Sequence, residues 1–425
     1  MIELKSIKIR NIKNKNYIAQ YIAIALLACK ILHEIIYTVQ FPFSYESYEI
    51  SDWLINYEGG FVRRGFIGQM LLGAYQIIPF DVKTVIIAFD LLWFGLFAGL
   101  MVNVFRRQRW SLLPFVFALA LTNGGIPRVR RDYLIMLAVY VVYYLYIRYQ
   151  SNRQQGLLWA SVVLASVFIL IYEPVFFLTI PVLCLMYFCS LEQEHLFARL
   201  AKTAGVFALP VITMALVCLL KGQEEQAQVI WQSWYDVFVR YPQAGGLPGI
   251  GEGVGFLGHG AKETVLEHLD MMYCINSWWK PVAVLAAALL LFCYPLFYIM
   301  VTRVPGIDHK QHTLFSNSNT VDLSNVFLIQ LVGMSPMLAG LSCDMMRNFP
   351  YILYTSYMLV YLAQAQHTTI HVPKWLNRCS ETVQSRLGQM RILHGFWGYA
   401  VIYMLFVVAL FAWQSAKNGF LIYHV

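Results

Sequence analysis

The sequence predicts an all-α polytopic membrane protein with about eleven transmembrane helices, an interfacial helix and one large outer loop. Three observations carry this. Apolar residues make up 59% of the 425 positions and charged residues only 13%, against about 25% charged in a soluble globular domain. Apolar runs long enough to cross a bilayer, at about 20 residues each, recur along the whole chain. Five basic residues, Lys5, Lys8, Arg10, Lys13 and Lys15, precede the first run. The same figures exclude a string of soluble domains, a disordered chain, a collagen and a coiled coil. The net charge of +8 first raises the question of sidedness in such a chain, so nucleic acid is not an expected partner.

The expected spans lie near 17–38, 83–105, 110–123, 133–149, 157–172, 174–190, 203–220, 281–302, 323–342, 350–366 and 392–414. The basic start places the N-terminus in the cytoplasm by the positive-inside rule. Leu26-Leu27-Ala28-Cys29 resembles a lipoprotein cleavage box, but the apolar run continues past Cys29, so an uncleaved anchor is expected. Residues 39–82 form a first outer loop. Within it Phe66 to Pro79 is apolar but short, and reads as a helix lying in the membrane surface. Residues 221–280 form the large outer loop, and 303–322 and 367–391 are inner segments. The whole chain, 1–425, is one integral membrane domain.

Of the eight cysteines, Cys29, Cys184, Cys189, Cys218 and Cys293 fall in apolar runs, where Cys acts as a small hydrophobe. Neither a CxxC pair nor a Cys/His cluster has zinc spacing, and no metal or cofactor is expected.

The unusual residues gather on the outer face. Asn56-Tyr57-Glu58-Gly59-Gly60-Phe61-Val62-Arg63-Arg64-Gly65 brackets an Arg pair with glycines, which allow tight turns or close approach to a ligand. Gly124-Gly125-Ile126-Pro127-Arg128-Val129-Arg130-Arg131-Asp132 joins two spans. Glu173 lies between two spans in Tyr172-Glu173-Pro174. Asp344 and Arg347 sit three apart in a short turn, on one face if it is helical. The large loop carries Trp231, Trp234, Tyr235, Arg240, Tyr241, Trp278 and Trp279. Its aromatics suit stacking on sugar rings or marking the bilayer interface. Its glycine-rich centre, 245–260, ends near His259 and suits a flexible loop closing over a ligand. Gly249-Ile250-Gly251-Glu252-Gly253 lacks a preceding strand, so a dinucleotide fingerprint is rejected.

Each motif has a bland alternative. Arg63 and Arg64 can snorkel to headgroups. Arg128, Arg130 and Arg131 can pair with Asp132 and lipid phosphate. Glu173 can serve as a buried partner for an arginine, and Asp344 with Arg347 can be a structural pair. Asp90, within a span, can bond a neighbour. Arginines clustered opposite the positive-inside bias nevertheless want a ligand. Their planar forks match phosphate oxygens, so a diphosphate held at the headgroup plane is the simplest one. The expected substrate-binding residues are Arg63, Arg64, Arg128, Arg130, Arg131, Arg240 and Arg347. The candidates for general base are Glu58, Glu173, His259 and Asp344, with Asp132 also on that face.

About eleven spans, a large outer loop and outer arginines resemble the Wzy-type polymerases of bacterial O-antigen and capsule assembly. That resemblance implies a multi-pass protein of the bacterial inner membrane. It would polymerise undecaprenyl-diphosphate-linked oligosaccharide repeat units on the periplasmic face, with membrane lipids and a chain-length regulator as partners. Arg240 and His259 would fill the places of the large-loop Arg and His of the related ligases, and Arg240 to Gly251 matches an Arg-to-Gly spacing of some polymerases. A second resemblance is to polyprenyl-phosphate-sugar glycosyltransferases of the C-type membrane fold. Their catalytic carboxylate lies in the first outer loop, which nominates Glu49, Asp52 or Glu58; their usual paired acidic signature is missing here. A flippase for lipid-linked oligosaccharides is the third expectation, with charges along a mid-membrane path. Away from the span ends, where Lys83 and Arg148 sit, only Lys30, Glu34 and Asp90 lie within spans.

Overall fold

The computed structural model describes residues 43–108, 129–243, 246–259, 317–337 and 345–388, together with scattered positions between 21 and 40 and at 266. Within these residues the chain is helical throughout, without a strand; Gln243 and Gly246 make one isolated bridge. A bundle of long helices carries a cap of short ones at one end.

The bundle contains α3 (Val82–Gln108), α4 (Asp132–Asn152), α5 (Gln155–Ile171), α6 (Pro174–Ser190), α7 (Leu196–Leu219), α11 (Asn317–Gly333) and α12 (Met345–Ala365). Among the described residues two helices, Val82–Arg107 and Leu196–Leu219, are long and apolar enough to cross a membrane. At 1.5 Å per residue the longer one reaches about 40 Å. Both keep apolar side chains on the outside, among them Leu92, Leu96, Ile212 and Leu216. Helices also occupy the expected spans at 133–149, 157–172, 174–190 and 350–366 and most of 323–342. The expected spans at 110–123, 281–302 and 392–414 lie outside the described residues; of 17–38 the described positions, among them 24–29, are helical and the rest lie outside.

Sequence punctuates the bundle. Pro174 begins α6, where its missing N–H costs nothing, and α5 closes on Tyr172 N–H donating to the Phe168 carbonyl at 2.9 Å. Pro181, inside α6, cannot bond back to the Phe177 carbonyl. Gly333 of α11 lies against that carbonyl; a Cβ there would come within 2.9 Å of it. The close approach brings Gln330 to Tyr143, whose hydroxyl it donates to at 2.8 Å, while Thr355 and Ser356 donate to the Gln330 side-chain oxygen at 3.1 and 2.6 Å. Arg199, near the start of α7, donates to the Phe188 carbonyl in the last turn of α6, capping an orphan acceptor.

The cap combines both long loops expected from the sequence. From the first come α1 (Tyr48–Ser51), a 3-10 turn (Asp52–Leu54) and α2 (Gly65–Ile77), the last at the place of the expected interfacial helix. From the second come α8 (Glu224–Gln232), α9 (Tyr235–Arg240) and α10 (Glu252–Gly255). They share an apolar core built on Trp53, Leu54, Ile55, Trp231, Trp234 and Phe238. Trp234 Nε1 donates to the Leu54 carbonyl at 2.8 Å and Trp53 Nε1 to the Val129 carbonyl at 3.3 Å, so burial leaves neither indole unsatisfied. Trp231 and Trp234 are therefore packing residues of the cap, not exposed sugar platforms or interface markers; Trp278 and Trp279 lie outside the described residues.

The glycine-rich segment also differs from the flexible loop expected. Gly251 abuts Ser51 and the Trp231 ring, and a Cβ on Gly253 would sit 2.5 Å from the Asp52 nitrogen. Gly253 N–H donates to Ser51 Oγ at 2.8 Å and Glu252 N–H to the Glu46 carbonyl at 2.8 Å. Gly253 lets two backbones touch and Gly251 makes room for side chains, which holds 251–255 against the first loop. The chain continues from α12 into α13 (Lys374–Gly388), at the far end of the bundle, where Asn377 and Ser380 bond Asn325.

Candidate functional site

The site lies where the first loop meets the α4 N-terminus and the α5–α6 junction. Arg64 occupies a left-handed backbone conformation, φ 63°, at the N-cap of α2. Only Gly adopts that region freely, so the surroundings must hold Arg64 there. Gly65 next to it sits directly on the Tyr57 ring, and Gly68 on the Ile55 carbonyl, fixing the first turn of α2 to the preceding loop.

Arg64 Nε donates to both oxygens of Glu173, at 2.9 and 3.1 Å. Its Nη1 donates to Asp52 Oδ1 at 3.2 Å and to the Tyr48 hydroxyl at 3.1 Å. Arg131 is 1% exposed and spends its fork inward. Its Nη1 donates to the carbonyls of Ile171 (2.9 Å) and Arg64 (3.2 Å), its Nη2 to the Asp52 carbonyl, and its Nε pairs with Asp52 Oδ2 at 3.4 Å. Aromatic faces close over the cations. Tyr172 lies 4.3 Å from the Arg64 guanidinium, Tyr48 5.1 Å from that of Arg130, and Trp53 5.3 Å from that of Arg131.

The two carboxylates are buried, Asp52 at 6% exposure and Glu173 at 9%. Burial pushes the Asp52 carboxyl up, but the charges of Arg131 and Arg64 outweigh it and hold the group below the usual carboxylate range. Burial likewise raises Glu173, and Arg64 with Arg63 brings it below its ordinary value. Desolvation works against the charge of Arg64, and Glu173 overcomes it, keeping the guanidinium firmly protonated. Both carboxylates are thus ionised at neutral pH, and each stands as an acceptor beside an arginine.

Of the expected residues, Arg64, Arg130, Arg131 and Glu173 converge here. Arg63 borders the cluster, donating to the Phe256 carbonyl at 3.4 Å. His259 is exposed, its ring 5.0 Å from that of Phe256, which in turn meets Tyr48 edge-on at 5.8 Å. Glu58 is exposed and takes its hydrogen bond from Gln69 at 3.2 Å. Arg240 is exposed in the last turn of α9, and no hydrogen bond or ion pair joins it to the cluster among the described residues. Asp132 accepts from the Tyr351 hydroxyl, tying α4 to α12. Arg128 and Asp344 lie outside the described residues; Arg347 falls in the first turn of α12 with its side chain also outside them.

The structure moves weight onto Asp52, which the sequence reading treated as one of three carboxylates of a secondary resemblance. Its signal was present: it is an acidic residue in the loop that precedes a short apolar helix. Its two arginines come from 12 and 79 positions away, and the second of these is invisible to local pattern. Of the aromatic walls, Tyr48 and Trp53 carried no signal, and Tyr172 stood out only as the neighbour of Glu173. Among the described residues no three His, Cys, Asp or Glu side chains group as metal ligands.

No protein-family model matches the chain, and neither a curated protein nor a solved structure is similar to it.

Proposed function

We propose that this chain is a polytopic inner-membrane glycosyltransferase, working on its cap side with a sugar carried by a polyprenyl phosphate. One observation carries the proposal. A buried, ionised carboxylate, Asp52, stands between Arg64 and Arg131 in the first long loop, on the N-terminal side of the short apolar helix α2. This is the placement that the C-type resemblance implies. Membrane insertion is supported by the two long apolar helices, with their exposed Leu and Ile faces. The cytoplasmic assignment of the opposite end is supported by its basic residues, including Arg106, Arg107, Arg153, Lys202 and Arg378.

In the reaction, the acceptor hydroxyl oxygen bonds the anomeric carbon, the carbon–oxygen bond to phosphate breaks, and its electron pair leaves on the phosphate. The acceptor proton passes to Asp52. With both arginines facing it, Asp52 is a weak base. A donor phosphate that draws Arg64 toward itself leaves Asp52 with one arginine and a greater proton affinity, so base and leaving-group stabiliser become active together. Glu173 positions Arg64 in both states.

The polymerase reading, with an undecaprenyl-diphosphate oligosaccharide as donor, draws its support from Arg63, Arg64 and Arg130 on one side of the site. It is the weaker reading because Arg131, expected to grip the diphosphate, turns its donors to Asp52 and to backbone carbonyls. A flippase draws little from the bundle interior, where Gln330, Tyr143, Thr355 and Ser356 bond one another.

The test uses the full chain in nanodiscs with two donor sets: polyprenyl-monophosphate hexoses, and a polyprenyl-diphosphate oligosaccharide. Release of polyprenyl monophosphate from the first set is expected, and Asp52→Asn should lower it at least about 100-fold. Undiminished turnover by a folded Asp52→Asn variant would overturn the role of Asp52. A polymer ladder from the diphosphate donor alone would favour the polymerase.

A further inference from the structure

The loop carrying the Arg pair presents a second feature that the donor site does not use. Tyr57 and Phe61 stack with ring planes 7° apart and centroids at 5.4 Å. Phe61 is the outer ring, 38% exposed. Beside it, on the same turn, stands the exposed carboxylate of Glu58. Two amides flank the turn: Gln69 Nε2 donates to Glu58 Oε1 at 3.2 Å, and Gln226 Nε2 to the Gly59 carbonyl at 3.0 Å.

This surface is rigid. Asn56, fully buried, donates to Ser233 Oγ at 2.8 Å and accepts from Glu58 N–H at 3.0 Å. Tyr57 N–H donates to Gln69 Oε1 at 2.8 Å, and Gly60 N–H closes the turn on the Tyr57 carbonyl at 2.9 Å. Gly60 has φ +100°, and Gly59 lies against the Gln226 backbone, where a Cβ would come within 2.7 Å of its carbonyl oxygen. Both glycines are therefore needed for this shape. These restraints fix the turn on which Phe61 stands, half-exposed and stacked on Tyr57.

A flat apolar ring bordered by a carboxylate and primary amides matches one chemical class well. A pyranose offers an apolar face of C–H groups to the ring and hydroxyls at its edge to the polar groups. Phe61 is three residues before Arg64 on the same loop, so a sugar seated here and a donor held by Arg64 would be bound by one continuous segment. We propose that Phe61, backed by Tyr57 and edged by Glu58, Gln69 and Gln226, is the acceptor-sugar subsite. The proposal rests on the glycosyltransferase reading above, since it names the acceptor of that site.

The experiment measures binding without turnover. Saturation-transfer NMR titrations of the full chain in nanodiscs use methyl pyranosides of glucose, galactose, mannose, rhamnose and N-acetylglucosamine as probes. Saturation of pyranose ring protons by at least one of them is expected. Phe61→Ala should weaken its Kd roughly fivefold, and Phe61→Trp should retain it. Glu58→Gln should weaken it with ring-proton contact preserved. If Phe61→Ala lowers the melting temperature, Phe61→Leu, which keeps apolar bulk without the ring face, replaces it and should also weaken binding. Absence of transfer from all five probes, or equal Kd in Phe61→Leu and the wild type, overturns the subsite. Donor cleavage is scored separately: no pyranoside binding by the wild type, or binding indifferent to Phe61, alongside intact Asp52-dependent donor cleavage removes the subsite alone, whereas cleavage indifferent to Asp52 removes the enzymatic reading.

Discussion

Arg64 bridges two carboxylates that come from separate parts of the chain, and its planar fork is what makes this possible. Nε serves Glu173 while Nη1 serves Asp52 and Tyr48. A lysine keeps the charge but supplies one compact ammonium. Arg64→Lys should therefore lose most of the activity and lower the melting temperature, as Glu173 and Asp52 cannot both be satisfied. Near wild-type values for both would show that charge alone matters. The same pairs set a pH dependence. The folded-state pKa values of Asp52 and Glu173 are depressed, so their contribution to stability is complete above the unfolded values, about pH 4. It is lost as pH falls through the lower folded values. Melting temperature should be flat from neutral pH to about 5 and fall below about 4. Glu173→Gln should begin lower and show a shallower acid limb; parallel limbs in both proteins would place the titration elsewhere.

At the scale of elements, α2 shows how one helix is aimed by two kinds of glycine. Gly68 has the Ile55 carbonyl where its Cβ would be, whereas Gly73 has nothing within 4 Å. Both positions lie inside one helix, so propensity favours alanine equally at each. Gly68→Ala should cost about 1–3 kcal/mol by pushing α2 off the first loop. Gly73→Ala should leave stability unchanged or raise it by up to about 1 kcal/mol. Thermal melts of the two single variants decide this, and equal shifts would mean that α2 is free to move away from the loop. Donor turnover should follow Gly68 alone, because displacing α2 displaces Arg64 at its N-cap. The α2 helix itself was legible from its short apolar run. Its close seat on Ile55 was not, because a glycine in sequence does not reveal which backbone it faces.

Taken whole, the molecule has two ends of different chemistry. The cap end gathers Arg63, Arg64, Arg130 and Arg131 around Asp52 and Glu173, and the opposite end carries the C-terminal arginines of α3 and the basic start of α13. If the bundle spans the membrane as proposed, these ends face different compartments. In a cysteine-free background, Glu58→Cys and Arg240→Cys should react with an impermeant maleimide on intact cells. The natural Cys379, exposed in α13, should react only after permeabilisation when restored alone. Labelling of Cys379 together with Glu58→Cys on intact cells would sink the two-ended arrangement.

Composition by itself pointed to a helical class, because within a bilayer a backbone has to be satisfied inside its own segments, and the described residues are helical. Spacing and punctuation placed the helices, as Pro174 and the run from Asp132 show. Local sequence also marked the residues with chemistry, since arginines and carboxylates at the ends of apolar runs are costly without partners. The partners themselves were decided by tertiary structure. Asp52 finds Arg131 and Trp231 finds its place in the cap only when two loops far apart in sequence share one apolar core. That core forms through backbone-to-backbone contact at Gly59 and Gly253, and through the seat of Gly251 on the Trp231 ring. Such contacts depend on the space between elements, and one-dimensional spacing carries no measure of it.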